Sequence, residues 1–397
     1  MKAILLAGGK GTRLRPLTLH TPKPIVPVFG RAFLNYQIDL VRAVPEIDEV
    51  ILSLNYQPRR IQDVFGDGRD AGVKMSYVVE PSPLGTGGAI KFATGAYKNT
   101  VVVFNGDVMT QINLGEVLRL HRERQAKATI VLTPVENPAD YGLVETDADG
   151  NVRRFLEKPK ADEITCDTIN AGVYVLEPET FDRIPDETAY SIERAFFPSL
   201  VERGETFVAY VYRGYWIDIG TPEKYMQVHR DIMDRRFLAE PFGAEARGFT
   251  CLGPDVKIEE GAIVEGPCFI DAGTVVKAGA RIHPYSVIGR NSVVEEDAVV
   301  DGAIVEGPCF IDGGTVVKAG ARIHPYSVIG RNSVIEEDAV IDGAIVWPNG
   351  RVSRDAVVRQ AILGRHCHVG RNVVIDSGVI LGDKSSVTDH SRLAASQ

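Results

Sequence analysis

The pattern of apolar and polar residues changes part-way along the chain. Up to about residue 237, short apolar runs alternate with stretches of helical spacing. From residue 252 onward, aliphatic residues instead recur every six positions. We therefore expect a first domain at residues 1–237, a linker at 238–250 and a second domain at 251–390.

Alternation of strands and helices dominates the first half. Apolar runs predict strands at residues 3–7, 50–54, 73–79, 101–104, 129–133, 171–176 and 207–211. Helical spacing predicts helices at 34–41, 58–65, 88–96, 114–124 and 225–237. This order predicts an α/β domain with a mostly parallel sheet, in which ligands bind beyond the carboxyl ends of the strands.

The six-residue period of the second half predicts a parallel β-helix with three short strands per coil. Ile258, Val264, Ile270, Val276 and Ile282 begin this series. The step shortens to five at 300–305, 341–346 and 358–363. The segment resembles the hexapeptide-repeat proteins, and the resemblance implies that the β-helix is left-handed.

A second repeat lies inside this period. Residues 261–301 recur at 302–342 with three differences, Ala272/Gly313, Val294/Ile335 and Val300/Ile341. So few differences indicate a recent duplication or deliberate engineering. If the five-residue step still occupies one face, 41 residues span seven faces, one more than two coils. His283 and His324 are then expected on different sides of the β-helix; if they share a face, the short step is a bulge or a skip.

Length, net charge and cysteine content limit the classes of protein to which the chain can belong. A length of 397 residues allows two domains, and a net charge of −9 argues against general nucleic-acid binding. Five cysteines form no CxxC pair and are odd in number, which is typical of reduced thiols. With no apolar stretch approaching about 18 residues and no signal segment, we expect a cytoplasmic protein without a membrane partner.

The loop after the first strand carries the clearest candidate chemistry. Gly8, Gly9 and Gly11 follow the apolar run within four residues, and cationic side chains follow them at Arg13, Arg15 and Lys23. Such a loop brings backbone N–H groups close to a ligand, and the cations favour a phosphate chain. The pattern GGxGTRLxPLT is neither a Walker A loop nor a dinucleotide GxGxxG motif.

Two aspartates are candidate ligands for Mg²⁺. Asp107 follows the strand at 101–104, and Asp218 follows the strand at 207–211 and its extension. Each is also a common residue type in a turn or helix cap. A phosphate loop at the same sheet edge favours the metal, because Mg²⁺ is normally held by one or two carboxylates together with substrate phosphates.

These pieces occur together and in one order, and in this they resemble the sugar-nucleotide pyrophosphorylase family, closest to its mannose-1-phosphate guanylyltransferases. The resemblance implies a Rossmann-like nucleotidyltransferase domain that joins a nucleoside triphosphate to a sugar 1-phosphate with Mg²⁺. It implies nucleotide contacts from Leu6, Ala7, Gly8, Gly9, Gly11, Thr12, Glu80, Gly85 and Thr86. It implies phosphate contacts from the catalytic residues Arg13, Lys23 and Lys158, metal ligation by Asp107 and Asp218, and sugar-phosphate contacts from Gly142, Glu157, Lys158 and Asn170.

Several alternatives stay open at this point. GTP and mannose 1-phosphate are favoured, but relatives that use UTP or dTTP with glucose 1-phosphate, or GTP with heptose 1-phosphate, share the phosphate loop. A catalytically silent paralogue that binds a nucleotide sugar is a second class. A β-helix acyltransferase is a third, with candidate histidines at His283, His324, His366 and His368. We also expect a homo-oligomer, because an exposed β-helix offers a large surface.

Overall fold

The computed structural model of the protein describes residues 1–14, 18, 21–29, 31–186, 188–242, 250–301, 309–311 and 313–395. The chain divides into two compact units, Met1–Pro27 with Arg31–Pro222 and Val28–Gly30 with Glu223–Gln397. Arg15, residues 243–249 of the expected linker and residues 302–308 of the second repeat lie outside the described residues. The domain limits at 237 and 251 remain predictions. Within the described residues, no helix is long and apolar enough to cross a membrane.

Strands and helices alternate through the first unit. The strands are β1 (Lys2–Leu6), β2 (Pro27–Val28), β3 (Arg31–Ala32), β4 (Glu49–Leu54), β5 (Lys74–Val79), β6 (Val101–Asn105), β7 (Val108–Thr110), β8 (Ala128–Pro134), β9 (Gly142–Thr146), β10 (Val152–Glu157), β11 (Thr168–Leu176), β12 (Phe207–Val211) and β13 (Trp216–Asp218). The α-helices of this unit are α1 (Leu34–Arg42), α2 (Pro58–Phe65), α3 (Gly85–Thr94), α4 (Leu114–Glu123) and α5 (Phe197–Glu202). A sixth helix, α6 (Pro222–Met233), belongs to the second unit from Glu223 onward. A π-helical turn, Ile192–Phe196, leads into α5.

Nine of these strands form one sheet, in which β1 lies between β4 and β6. The main path is β10-β9-β11-β6-β1-β4-β5, and β8 joins β11 to β12. The pairs β1–β4, β1–β6, β4–β5 and β8–β12 are parallel, whereas β11 runs antiparallel to β6, β8 and β9. The sheet is therefore mixed, and β1, β4 and β6 end at one common edge.

Helices cover both faces of the sheet, as the side-chain period of two requires. On β1, Ala3 and Leu5 belong to the core cluster that includes Leu34 of α1, while Ile4 belongs to the cluster that includes Ile90 of α3. Ala3, Ile4 and Leu5 are fully buried. This layering confirms the expected α/β fold, with β1 at its centre.

Within the described residues, the second unit contains a left-handed parallel β-helix with three faces of eight strands. The first face holds Thr250–Leu252, Cys268–Ile270, Ser286–Ile288, Cys309–Ile311, Val328–Ile329, Ile345–Val346, Ile362–Leu363 and Ile380–Leu381. The second holds Lys257–Ile258, Val275–Val276, Val293–Val294, Val316–Val317, Val334–Ile335, Arg351–Val352, His368–Val369 and Ser386–Val387. The third holds Ile263–Val264, Arg281–Ile282, Val299–Val300, Arg322–Ile323, Val340–Asp342, Val357–Arg359, Val374–Ile375 and Arg392–Leu393.

The 41-residue repeat equals two whole coils. His283 follows the strand Arg281–Ile282 and His324 follows Arg322–Ile323, both on the third face, so the expectation that they lie on different sides is wrong. Val300 lies on the third face, and the next strand described, Cys309–Ile311, lies on the first. The 41 residues therefore cross six faces, and Val305, where the expected five-residue step ends, lies outside the described residues. At about 4.8 Å per coil, the repeat lengthens the β-helix by about 9.6 Å.

The other two five-residue steps behave as ordinary corners. Ile341 lies on the third face and Val346 on the first, and Val358 and Leu363 have the same relation. All four side chains are at most 1% exposed and stay in the stacked aliphatic core. Counting residues alone cannot separate a short corner from an insertion, and this explains the wrong face count.

Candidate active site

The phosphate-loop candidate leaves the carboxyl end of β1, at the common edge of β1, β4 and β6. The N–H of Ala7 still donates to the Ser53 carbonyl of β4 at 2.9 Å, after which the chain turns away. Gly11 has φ +59°, a conformation that favours glycine, and the Thr18 hydroxyl donates to its carbonyl at 2.5 Å. The loop therefore has a defined shape, with a short 3₁₀ turn at Thr12–Leu14.

A cavity of about 530 Å³ opens beside this loop. Its walls are formed by the loop, the N-terminus of α3 and the carboxyl ends of β4, β5 and β6. Twelve residues expected at the site line it: Leu6, Ala7, Gly8, Gly9, Gly11, Thr12, Arg13, Lys23, Glu80, Gly85, Thr86 and Asp107. The structure thus brings together residues as distant in the sequence as Leu6 and Asp107.

Asp107 and Asp218 are held next to each other by a small two-stranded sheet. β13 runs antiparallel to β7, so that Asp218 pairs with Val108. The N–H of Ile219 donates to the Asp107 carbonyl at 2.8 Å. Asp218 therefore ends its own strand, β13, which pairs with β7, and not the strand at 207–211 that the sequence suggested. That strand, β12, joins the nine-stranded sheet through β8.

Positive and negative side chains alternate around this pair of aspartates. The Lys23 ammonium lies 3.1 Å from Asp107 Oδ2. A Cβ added to Gly220 would lie 3.2 Å from Asp218 Oδ2 and 3.4 Å from Arg13 Nη2, so both side chains border that glycine. The cations expected to hold phosphates thus lie against the carboxylates expected to hold the metal.

These two carboxylates supply the number of protein ligands that Mg²⁺ commonly takes. Within the described ranges, no group of three or more His, Cys, Asp or Glu side chains is arranged to hold a metal by itself. Mg²⁺ typically takes one or two protein carboxylates and completes its shell with substrate phosphates and water. Asp107 and Asp218 supply that number of carboxylates beside a phosphate-type loop.

Glu80 and Thr86 take part in contacts that shape the far wall of the cavity. Glu80 accepts the Leu84 N–H at 2.9 Å and the Ser53 hydroxyl at 3.3 Å. Thr86 accepts the Ile192 N–H at 2.9 Å and donates to Glu193 Oε2 at 2.8 Å. Both side chains therefore fix the segment that leads into α3.

Gly85 could not be replaced without distortion. Its φ is +66°, and an added Cβ would lie 2.8 Å from the Tyr190 carbonyl oxygen. The N–H groups of Gly87 and Gly88 both donate to that same carbonyl. The glycines at 85–88 therefore serve to pack the start of α3 against residues 190–192, as well as to line the cavity.

The four residues expected to face the sugar phosphate lie outside the cavity wall. Gly142 and Glu157 pair across β9 and β10, and an added Cβ on Gly142 would lie 3.0 Å from Glu157 Oε2. Lys158 follows with φ +53° and an exposed side chain, and its N–H donates to the Tyr141 carbonyl at 3.0 Å. Asn170 donates to the Tyr174 hydroxyl and accepts the Gly172 N–H, both at 2.9 Å.

The carboxyl of Glu157 is half-buried, and burial raises its pKa above the ordinary value. The negative charge of Glu193 raises the pKa further, whereas Lys158 and Arg194 lower it. Glu193 also accepts the Thr86 hydroxyl. Glu193 therefore links the wall of the cavity to the strand end that carries Glu157.

Sequence reasoning missed several residues at this site. Tyr141 donates its hydroxyl to Asp218 Oδ1 at 3.0 Å and packs edge-on against Trp216, with ring centroids 5.7 Å apart. Its place directly before Gly142 was the available signal. No sequence pattern indicated Glu193, because its partner Thr86 lies 107 positions away in the sequence. Lys10, Asn55 and Asn105 also line the cavity.

Comparison with known proteins places this site in a family. The sequence profile described as nucleotidyl transferase matches residues 2–235, which is more than half of the chain. The chain belongs to the nucleotidyl transferase family. The profile described as GMPPB C-terminal domain matches residues 305–396, within the β-helix. Both matches confirm the resemblance on which the sequence interpretation rests.

Individual members of the nucleotidyl transferase family are similar over most of their length. The chain is 40% identical to a mannose-1-phosphate guanylyltransferase of Mycobacterium tuberculosis over 71% of this chain and 76% of that protein. It is 33% identical to a UTP–glucose-1-phosphate uridylyltransferase of Synechocystis, over 76% of this chain and 81% of that protein. The family reaction is thus shared, whereas the base and the sugar differ between relatives.

A solved structure is similar to part of the chain. HddC from Yersinia pseudotuberculosis, complexed with GMP-PN, is 29% identical, with a TM-score of 0.50. The match covers 58% of this chain and 99% of that one.

Proposed function

We propose that the protein joins GTP to mannose 1-phosphate, with release of pyrophosphate and formation of GDP-mannose. The observation that carries the proposal is the cavity lined by the glycine loop, Arg13, Lys23 and Asp107, with Asp218 beside Gly220 of its wall. The guanylyltransferase relative at 40% identity supports the choice of base and sugar.

The reaction needs no general base. A sugar 1-phosphate is largely dianionic at neutral pH, since its second pKa is about 6. One of its oxygens forms a bond to the α-phosphorus of GTP, and the bond from that phosphorus to the bridging oxygen breaks. The electron pair leaves with pyrophosphate. This accounts for a site built from cations and carboxylates, in which no described residue of the cavity wall is Ser, Cys or His.

The protein residues then have separate tasks. Arg13 and Lys23 hold the phosphates of GTP and stabilise the departing pyrophosphate, and Lys158 holds the incoming phosphate. Asp107 and Asp218 hold Mg²⁺, which neutralises phosphate charge when it is bound. Tyr141 keeps Asp218 in place through its 3.0 Å hydrogen bond. Gly142, Glu157 and Asn170 are proposed to bound the sugar-phosphate side.

The binding of sugar phosphate requires these last residues to approach the cavity. Glu193 provides the connection, because it contacts Thr86 on the cavity wall and its charge reaches Glu157. We further propose a homo-oligomer assembled through the β-helix, in the cytoplasm. Both remain predictions from the sequence.

A second candidate is the same transfer with UTP and glucose 1-phosphate, which the similarity to the Synechocystis uridylyltransferase favours. Pyrophosphate release measured across five nucleoside triphosphates and mannose, glucose and heptose 1-phosphates, with Mg²⁺, separates the two. We expect the highest kcat/KM with GTP and mannose 1-phosphate and none after chelation of Mg²⁺. No release in any combination would refute the proposal and favour a catalytically silent nucleotide-sugar-binding protein.

A further inference from the structure

Helix α1 carries one polar residue on its buried face. Leu34, Ile38 and Val41 form the apolar stripe that packs on the sheet, and Gln37 occupies the remaining position of that stripe. Its side chain is only 1% exposed. A buried amide at an otherwise aliphatic position indicates a task for its hydrogen-bonding groups.

The amide of Gln37 spans the turn that carries Asp107. Nε2 donates to the Asn105 carbonyl at 2.8 Å and to the Val108 carbonyl at 2.7 Å. These carbonyls lie directly before and after Gly106 and Asp107. Because both partners are acceptors, the NH₂ group must point at them, and the orientation of the amide is fixed.

The amide oxygen of Gln37, Oε1, is buried and has no hydrogen-bond partner among the residues that the structure describes. An unpaired buried acceptor destabilises a fold, so a residue that served packing alone would be an aliphatic side chain here. The position thus retains a group that is unfavourable for stability in exchange for two hydrogen bonds at the Asp107 turn.

The same turn is held from two other directions. The Gly106 N–H donates to the Leu6 carbonyl at 3.0 Å, and a Cβ on Gly106 would lie 2.2 Å from that oxygen. The Ile219 N–H donates to the Asp107 carbonyl at 2.8 Å. These contacts fix the turn to β1 and to the residue after Asp218, and Gln37 fixes it to α1.

We propose that Gln37 is a positioning residue that sets the Asp107 carboxylate for the divalent metal, although it touches neither metal nor substrate. The inference rests on the proposed function, in which Asp107 holds that metal. Residues that orient a metal ligand commonly change metal affinity or activity 10–100-fold when they are replaced. A small displacement of the Asp107 carboxylate is expected to lower kcat by a comparable factor.

The test uses Gln37→Met, which keeps the length of the side chain but removes both donors and the unpaired acceptor. Gln37→Leu is the second variant. Thr180→Val is the matched control: Thr180 is 2% exposed and its hydroxyl donates to the Glu177 carbonyl at 2.6 Å, away from the cavity. Mn²⁺ binding to the full-length protein without substrate is followed by electron paramagnetic resonance. Exchange of the Gly106 amide hydrogen, Tm, and kcat and KM for GTP are measured in parallel.

We expect both Gln37 variants to bind Mn²⁺ about 10–100-fold more weakly, to exchange the Gly106 amide at least about tenfold faster and to lose kcat by a similar factor. KM for GTP at saturating Mg²⁺ should stay within about threefold, since the glycine loop is untouched. The Tm of Gln37→Met should fall no further than that of Thr180→Val, which keeps wild-type kinetics.

If the Gln37 variants had a lowered Tm but unchanged Mn²⁺ affinity and unchanged exchange of the Gly106 amide, Gln37 would have a structural role only. That result would overturn the proposal. A wild-type protein that binds no Mn²⁺ would overturn it as well. A wild-type protein that binds Mn²⁺ but releases no pyrophosphate would refute the proposed function alone. The two failures are therefore distinguishable.

Discussion

Removing Lys23 should strengthen metal binding while it weakens nucleotide binding. The Lys23 ammonium lies 3.1 Å from Asp107 Oδ2, so in the free protein it competes with a divalent ion for that carboxylate. The same ammonium is expected to hold phosphate once the nucleotide is bound. Lys23→Met removes the competitor and the phosphate contact together, and the two effects have opposite signs.

The size of the effect on the metal follows from the geometry. At 3.1 Å the attraction is about 1.3 kcal/mol at a dielectric constant of about 80 and about 5 kcal/mol at about 20. The Asp107 side chain is 35% exposed and the Lys23 side chain 11% exposed, so solvent screening favours the lower limit. We therefore expect a gain of about 1.4 kcal/mol, or about tenfold in Mn²⁺ affinity.

The effect on the nucleotide should be a loss. A hydrogen bond to a charged group contributes about 1.5–3 kcal/mol, so affinity for GTP should fall about 10–100-fold. Titration with Mn²⁺ in the absence of nucleotide measures the first effect, and calorimetry with GTP measures the second. Lys10→Met is the control, because Lys10 is an exposed cation of the same cavity wall and has no contact with Asp107 among the ion pairs described.

If Lys23→Met bound Mn²⁺ no more tightly than the wild type, Lys23 would not compete for the Asp107 carboxylate and the reasoning would be refuted. An equal gain in Lys10→Met would show a general change in charge instead of a local one.

Three further outcomes are expected. Glu193→Gln removes a negative charge that raises the pKa of Glu157, so the loss of mannose 1-phosphate affinity on acidification should move to lower pH. The measurement is KM for mannose 1-phosphate against pH, in which the titration of the phosphate itself is the same for both proteins. A profile identical to that of the wild type would contradict the prediction. Tyr141→Phe removes the 3.0 Å hydrogen bond to Asp218 and should lower kcat about tenfold with Tm nearly unchanged, whereas unchanged kcat would refute it. Deletion of residues 302–342 removes two whole coils and should leave a folded, active protein, whereas the protein that lacks residues 302–336 should misfold. Circular dichroism and pyrophosphate release measure folding and activity of the two deletion variants. Equal behaviour of the two would contradict the coil count.

The fold could be predicted largely because its signals are local. The apolar run at β1 and the stripe of Leu34, Ile38 and Val41 each lie within a few neighbouring positions, and each became the expected element. The six-residue period gave the β-helix for the same reason. The face of His324 could not be predicted, because a five-residue step that turns a corner and one that adds no face have the same length in sequence.

The site was predicted only where a motif carried it. The glycine loop and Asp107 stand beside recognisable neighbours, and the structure brings them to one cavity. Gln37 and Glu193 form hydrogen bonds to partners 68 and 107 positions away in the sequence, and no local sequence pattern predicts such contacts. One signal was present for Gln37: a polar residue at a position of the helix where the stripe calls for an aliphatic one.

The whole-coil length of the repeat has a consequence for inheritance. Two nearly identical tandem segments invite unequal crossing-over, which gains or loses one segment at a time. Because each segment returns the chain to the same face, every product keeps its aliphatic residues inside and its reading frame intact. If the duplication is natural, alleles with one, two or three segments are therefore expected, each with the same stacked aliphatic core.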